Sequence, residues 1–171
     1  MVKGIQPSMA HITELNQADF DLDLYLSWLQ NIQDNRYIEA VRKDYSKFDL
    51  EKYLESRVNN PEVKFWGIFL ESNKFIGTIK LEPINWKSQT AWLGMMIGDS
   101  SERGKGYGSQ ALNLVLDYAE NVLLLKDIFL GVHKNNIPAI SIYKKSAFEI
   151  YIVNKSQITM RRKLKLLSDL E

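Results

Sequence analysis

Cysteine is absent from this chain, which excludes disulfide bridges, thiolate metal ligands and cysteine nucleophiles. No apolar run reaches the roughly 18 residues of a membrane-spanning helix, and the start of the chain, MVKGIQPSMAHITEL, lacks the apolar core of a signal peptide. An excess of charge is also missing, because 22 basic and 21 acidic residues give a net charge of +1. These absences predict a cytoplasmic protein that binds neither nucleic acid nor a membrane through bulk electrostatic attraction.

The first half of the chain alternates between helix-like and strand-like patterns. After a short strand, HITEL, the run that starts at Asp19 places Leu22, Leu26 and Leu29 on one helical face. Asp49 is predicted to be the N-cap of a second helix, LEKYLESRV. Two β-rich runs, VKFWGIFLES and KFIGTIKLEPI, then meet at Ser72-Asn73 and predict a hairpin, which a third β-like run, TAWLGMMIGD, follows.

The second half continues the alternation. It consists of a long helix, SQALNLVLDYAENVLLL, a strand, DIFLGVHK, a short helix, AISIYKKSAF, with Pro138 near its first turn, and a closing hairpin, FEIYIV and QITMRRKL. The order β-α-α-β-β-β-α-β-α-β-β predicts a single mixed α/β domain. Trp66 and Trp92 fall in strand runs and are predicted to lie in the core.

A glycine-rich turn, ERGKGYGSQAL, joins the third β-like run to the long helix. The first N–H groups of a helix have no intrahelical acceptor, and glycine lets the backbone approach a phosphate, so this turn is a candidate anion site. A plain βα turn is the alternative. The spacing matches neither G-x-G-x-x-G nor G-x-x-x-x-G-K-[ST]; it is R-x-x-G-x-G, formed by Arg103, Gly106 and Gly108.

This pattern resembles the acetyl-CoA-binding motif of the GCN5-related N-acetyltransferases, the GNAT family. A second segment, NNIPAISIYKKSAF, is similar to the family's N-x-x-A-x-x-x-Y-x-K-x-G-F, with Asn136, Tyr143 and Lys145 in matching places. Ala147 stands where the family has glycine, a departure that costs little unless the position needs a positive φ. The resemblance spans residues 63–165 and is strongest to the branch with ribosomal-protein and spermidine acetyltransferases.

The resemblance implies a fold and a cosubstrate site. The fold is a central mixed, mostly antiparallel sheet of about seven strands, flanked by helices and splayed between the fourth and fifth strands, in a single domain over 9–171 after a disordered tail at 1–8. Gly94 and Gly98 would mark the bend that starts the splay, or simply tolerate close packing. Backbone or side-chain contacts to acetyl-CoA are implied for Met96, Ile97, Arg103, Gly104, Lys105, Gly106, Tyr107, Gly108, Ser109 and Asn136, the last being alternatively an N-cap.

The catalytic groups follow from the same resemblance and are less complete. Tyr143 is the candidate general acid, because a phenol with a pKa near 10 can protonate the departing thiolate. Glu82 is predicted to be the base, directly or through one water, because it is the nearest acid upstream of WLGMMIGD; a water chain ending at backbone carbonyls and His133 are the alternatives. No metal ligand set is predicted.

The implied function is transfer of an acetyl group from acetyl-CoA to a primary amine, on an amino sugar, a polyamine, an amino-acid antibiotic or a protein N-terminus. Asp19, Asp21 and Asp23 would attract a cationic amine or form a solvated face. One alternative is a member that binds acetyl-CoA without turnover; a Rossmann-type nucleotide-binding protein is weaker, since the acidic residue of that motif is missing. The closing hairpin is a candidate for pairing between chains in a homodimer.

Overall fold

The computed structural model describes residues 9–16, 20–31, 33, 36–37 and 44–165, so the predicted tail at 1–8 and Asp19 lie outside the described residues. The elements follow the order that the sequence predicts. The strands are β1 (Ala10–Glu14), β2 (Lys64–Leu70), β3 (Phe75–Asn85), β4 (Thr90–Ile97), β5 (Asp127–His133), β6 (Glu149–Val153) and β7 (Gln157–Lys163). The α-helices are α1 (Leu22–Gln30), α2 (Lys47–Glu55), α3 (Tyr107–Asn121) and α4 (Ile137–Lys145).

The strands form one seven-stranded sheet in the order β1-β2-β3-β4-β5-β7-β6. Every neighbouring pair is antiparallel except β4 and β5, which are parallel. The β4–β5 pairing ends at Trp92 and Phe129, although both strands continue beyond that point. The predicted splay between the fourth and fifth strands is therefore confirmed.

Two buried clusters cover the two faces of the sheet. Helices α3 and α4 pack on one face, where the fully buried Leu112 of α3 joins sheet residues that include Ile79 and Ile128. Helices α1 and α2 pack on the other face through an aromatic cluster that includes Tyr25 and Trp28. The buried side of α1 is formed by Tyr25, Trp28 and Leu29, while the predicted Leu22 and Leu26 are only half-buried at its margin.

The start of α2 differs from the prediction. Ser46, not Asp49, is the N-cap: its hydroxyl accepts the Asp49 N–H at 3.1 Å, and the Asp49 carboxylate accepts the Ser46 N–H at 3.0 Å. This reciprocal capping box satisfies two orphan donors at once, which places Asp49 in the first turn instead of at the cap.

Two further residues depart from expectation. Trp66 is buried as predicted, but the prediction for Trp92 was wrong, because its side chain is 43% exposed and lies outside both buried clusters. Ala147, just after α4, has a φ of 59°. The position therefore does need the left-handed conformation, and alanine is strained there where glycine would not be.

Candidate active site

The turn between β4 and α3 needs glycine at two positions. Gly104 has a φ of 75° and Gly106 a φ of 90°, a region that residues with a Cβ rarely adopt. Gly106 is also the N-cap of α3, and without a side chain it cannot cap the helix itself. The first N–H groups of an α-helix have no intrahelical acceptor and lie at the positive end of the helix dipole, so the start of α3 suits an anion.

The Arg103 side chain fastens this turn to the end of β4. Its Nε donates to the Ile97 carbonyl at 2.8 Å and its Nη2 to the Gly98 carbonyl at 3.3 Å. On the opposite side, the Trp28 ring lies so close to Gly98 that no Cβ would fit between them. The close approach of Trp28 thus accounts for glycine at position 98.

Beyond Trp92 and Phe129, a gap opens between β4 and β5. The β3-facing edge of β4 stays paired as far as Gly77–Ile97, whereas its β5-facing edge has no strand partner after Trp92 among the residues that the structure describes. The side chains of Met95 and Ile97 reach toward α3, since a Cβ on Gly108 would lie 3.6 Å from each. An extended ligand can therefore pair with the free backbone edge of β4.

Helix α4 supplies the opposite wall of the gap. Asn136 is its N-cap, with Oδ1 accepting the Ala139 N–H at 3.3 Å, so the capping alternative for this residue holds. Tyr143 is 6% exposed and packs edge-on against Phe148. Burial raises the pKa of Tyr143 to about 12, and its hydroxyl makes no hydrogen bond with the residues that the structure describes. The phenol therefore keeps its proton at neutral pH.

One pocket of about 1740 Å³ joins the glycine turn, the gap and the face beneath α1 and α2. Lys105 is absent from its described lining and instead pairs with Glu102 at 2.9 Å. Asp21 caps α1 and Asp23 pairs with Lys47, so neither of these acids reaches the pocket lining. The pocket brings together Glu82, Met96, Ile97, Arg103, Gly104, Gly106, Tyr107, Gly108, Ser109, His133, Asn136 and Tyr143.

Glu82 lies on the α1/α2 side of this pocket and is held by two cations. Its carboxylate accepts from Lys80 Nζ at 2.7 Å and from the Arg57 guanidinium at 2.8 Å. Burial on its own raises the pKa of Glu82, but the bonds and charge of Lys80 and then Arg57 outweigh it and leave the pKa below its ordinary value. Glu82 therefore stays ionised and is a weak base.

A protein-family model, the acetyltransferase (GNAT) domain, matches residues 12–149. The chain belongs to the GNAT family. Over 138 residues it is 30% identical to a spermine/spermidine N(1)-acetyltransferase of Bacillus subtilis, a match that covers 81% of this chain and 84% of the relative. It is 32% identical to the probable N-acetyltransferase YjcK of the same species over 65% of this chain, and the match spans only 59% of that relative.

A solved structure shares the fold of this GNAT domain. The crystal structure of spermidine N-acetyltransferase from Vibrio cholerae in complex with CoA and spermine superposes with a TM-score of 0.77 at 20% identity, covering 95% of this chain and 99% of the other. These matches confirm the predicted fold, the predicted family and the similarity to spermidine acetyltransferases.

His133 also lines the pocket of the GNAT domain, on the β5 side of the gap. Its Nδ1 accepts the Asn135 N–H at 3.2 Å, and its ring stacks on Tyr37 at 5.0 Å between centroids. An acceptor at Nδ1 places the proton of the neutral ring on Nε2. Neither nitrogen then has a free lone pair for a substrate proton, which weakens His133 as a base.

Sequence reasoning missed the residues that hold Glu82. Lys80 donates to the Tyr53 hydroxyl at 2.8 Å, and the Arg57 guanidinium lies 3.9 Å above the Tyr53 ring. The alternation of side chains along β3 could have indicated the Lys80–Glu82 contact. Side chains two positions apart on a strand share one face of the sheet, as Thr78, Lys80 and Glu82 do.

Two further observations on the described residues concern metal sites and membrane-spanning helices. Among these residues, no three histidine or carboxylate side chains come together in a group that could hold a metal ion. No helix in the same residues combines the length and the apolar character that crossing a membrane requires.

Proposed function

We propose that this protein transfers an acetyl group from acetyl-CoA to the primary amine of an acceptor, such as an amino sugar, a polyamine or a protein N-terminus. The observation that carries the proposal is the gap between β4 and β5. It has an uncapped helix start at one end, a free strand edge along one side and a buried, protonated phenol on the other.

In this proposal each part of the gap binds one part of the cosubstrate. The N–H groups of the 103–109 turn and the first turn of α3 bind the pyrophosphate. The backbone of Met96 and Ile97 pairs with the amide groups of the pantetheine arm as an added strand would. The Asn136 amide nitrogen, which the capping bond leaves unused, donates to the same arm.

The reaction is direct attack of the neutral amine on the thioester carbonyl. A C–N bond forms, the C–S bond breaks, and the departing sulfur takes a proton from the Tyr143 hydroxyl. Before the attack, the ammonium form of the acceptor loses one proton to Glu82, directly or through a water. After the attack, the nitrogen loses its second proton to solvent, and the phenol is reprotonated from solvent. Because Glu82 has a lowered pKa, it passes this proton on instead of retaining it.

The test is an assay of the whole chain with acetyl-CoA and a panel of amines, read by mass spectrometry. The proposal predicts an acetylated amine and free CoA in equal amounts. Tight binding of acetyl-CoA with no acetylated amine would favour the non-catalytic alternative, and CoA release without an acetylated amine would indicate hydrolysis.

We also infer a homodimer formed through β6. This strand is an edge of the sheet and all five of its residues are exposed, four of them apolar or aromatic. Antiparallel pairing of two copies about Ile152 would set Glu149 of one chain opposite Lys155 of its copy. Light scattering of the wild type and of Ile152→Lys tests this inference, with a monomeric wild type as the contradicting result.

A cytoplasmic location and the absence of nucleic acid and membrane partners remain parts of the proposed function.

A further inference from the structure

We propose that the acceptor carries an anionic group, a carboxylate or a phosphate, besides its amine, and that Lys80 and Arg36 bind that group. This inference rests on the acetyltransferase function proposed above and narrows its substrate class. It places the anionic group in the pocket between Lys80, on the α1/α2 side, and Arg36, on the β5 side.

Lys80 is aimed at this side of the gap by its place in the sheet. It stands opposite Gly94 in the β3–β4 register, and a Cβ on Gly94 would lie 3.1 Å from Lys80 Cε. The absence of a side chain at Gly94 thus lets the lysine stem lie across β4, the strand that borders the gap. Lys80 reaches the pocket lining there.

The Lys80 ammonium has a donor to spare. It donates to Tyr53 and to Glu82, and an ammonium has three N–H groups. Its positive charge is not cancelled locally, because Glu82 is shared between Lys80 and Arg57. The group formed by Lys80, Arg57 and Glu82 contains two cations and one carboxylate and therefore carries an excess of one positive charge.

Arg36 adds a second positive charge at the β5 side of the pocket. Its guanidinium lies 5.1 Å from the centroid of the Tyr37 ring, and that ring stacks on His133 of β5. Arg36 lines the pocket and forms no ion pair with any carboxylate in the described ranges. A planar guanidinium of this kind suits two-pronged binding of a carboxylate or phosphate.

The part of the pocket lining that contains Lys80 and Arg36 is poorly suited to a polyamine. The carboxylates among the described lining residues are Glu82 and Glu102, and each is already shared between two cations. A second ammonium on the acceptor would have to displace one of those partners and would meet Lys80 and Arg36 as like charges. The chain therefore differs in acceptor preference from the relatives that are named for spermine and spermidine.

Two matched sets of amines test the inference. Butylamine, γ-aminobutyrate and putrescine share a four-carbon chain and end in a neutral, an anionic and a cationic group. Ethanolamine, ethanolamine phosphate and ethylenediamine repeat the comparison with a phosphate, so the two sets separate carboxylate from phosphate. Acetylation is measured as kcat/KM, and binding of each compound to CoA-saturated protein is measured by calorimetry, which gives a result even without turnover.

The expected result is that an anionic member exceeds its neutral partner by about tenfold or more, as for a charge-assisted hydrogen bond, and that the cationic member is the poorest. Lys80→Gln and Arg36→Gln should each remove much of this preference while changing the neutral amines little in binding. Lys87→Gln, at an exposed lysine outside the pocket lining, is the matched control and should keep the preference.

Preference for putrescine or ethylenediamine over the anionic members would overturn the inference while leaving the acetyltransferase proposal intact. The inference would also be overturned if Lys80→Gln and Arg36→Gln changed the binding of neutral, anionic and cationic amines equally. Conversely, failure of every amine to be acetylated, with the anionic order still seen in binding, would contradict the proposed function and not this inference.

Discussion

Trp92 and Phe129 are the last residues at which β4 and β5 are paired, and their rings lie 5.7 Å apart at that point. The two strands continue past this pair to Ile97 and His133 without each other as partners. The free edge of β4 then leads directly to the turn and the start of α3. The pair therefore marks the closed end of the gap in which the proposed chemistry takes place.

A carboxylate at the start of α3 should weaken acetyl-CoA binding. Ser109 lies in the first turn of the helix and lines the pocket, so Ser109→Glu places a negative charge where the pyrophosphate would bind. We expect the dissociation constant for acetyl-CoA to rise at least tenfold in calorimetry. Folding should not suffer, because an acid near a helix N-terminus stabilises the helix by about 0.3–1 kcal/mol.

Asn113→Glu is the matched control for that variant. It introduces the same charge on the exposed side of the same helix, one turn further along and outside the pocket lining. Its affinity for acetyl-CoA should equal that of the wild type. A Ser109→Glu protein that binds as tightly as this control would place the pyrophosphate elsewhere.

Removing the phenolic proton of Tyr143 should slow the chemical step. Tyr143→Phe keeps the ring that packs against Phe148 and removes only the hydroxyl. We expect kcat to fall by about 10²-fold or more, as is typical of lost acid catalysis, with the acetyl-CoA affinity unchanged. Near-normal single-turnover rates at saturating acetyl-CoA would show that another group protonates the thiolate.

The raised pKa of Tyr143 also sets the alkaline limit of the reaction. Because burial lifts this pKa to about 12, the phenol keeps its proton through the range in which the acceptor amine becomes neutral. The rate should therefore rise with pH to a plateau and show no decline below about pH 10, the ordinary tyrosine pKa. A fall in kcat about 1 to 2 pH units below that ordinary pKa, if Tyr143→Phe abolishes it, would contradict this assignment.

Glu82→Gln should affect both stability and rate. It leaves Lys80 and Arg57 without their shared carboxylate, at a cost of about 1–3 kcal/mol in the free energy of unfolding at neutral pH. The folded-state pKa of Glu82 is lowered, so this stabilisation is complete above the unfolded pKa of about 4.3 and is lost as the pH falls through the folded value. The two proteins should therefore converge in stability in acid.

As a base, Glu82 should matter most where the amine is protonated. The ratio of wild-type to Glu82→Gln rates should be largest at low pH and smallest at high pH. Glu14→Gln, which removes a different ion pair with Lys64 outside the main pocket, controls for the loss of a carboxylate. Parallel pH–rate profiles of Glu82→Gln and wild type would leave the proton to water and backbone carbonyls.

Ala147→Gly should stabilise the protein. With a φ of 59°, Ala147 adopts the left-handed conformation that glycine adopts without steric cost. We expect a gain of about 1 kcal/mol in the free energy of unfolding by chemical denaturation. Ser141→Gly, inside α4, should instead lose about 0.5 kcal/mol, and a loss in both variants would show that the φ at Ala147 carries no strain.

The element order and the splay could be predicted because local signals agree with them. Alternating apolar residues, the Ser72-Asn73 turn and the glycines before α3 each specify one element or one connection. The cap of α2 was misplaced by three residues, because Ser46 and Asp49 are both good caps and only the reciprocal bonds between them decide which one begins the helix.

The charge of the acceptor side could not be read from the sequence in the same way. Glu82 alone looks like a candidate base, and its weakness depends on Lys80 and also on Arg57, which follows α2 and meets β3 only in the fold. The exposure of Trp92 also depends on the fold, since its side chain lies on the face opposite the buried Ala91 and Leu93, where neither buried cluster covers it. Long-range contacts of this kind leave little local trace.

Hydrogen–deuterium exchange with and without acetyl-CoA tests the central claim, that the cosubstrate binds in the gap beyond Trp92 and Phe129. The account predicts slower exchange in two segments, the β4 residues 93–97 and the turn with the start of α3 at 103–110, with no change in the β1–β2 pair on the far side of the sheet. Protection that spares β4, at acetyl-CoA concentrations that saturate the protein, would contradict it.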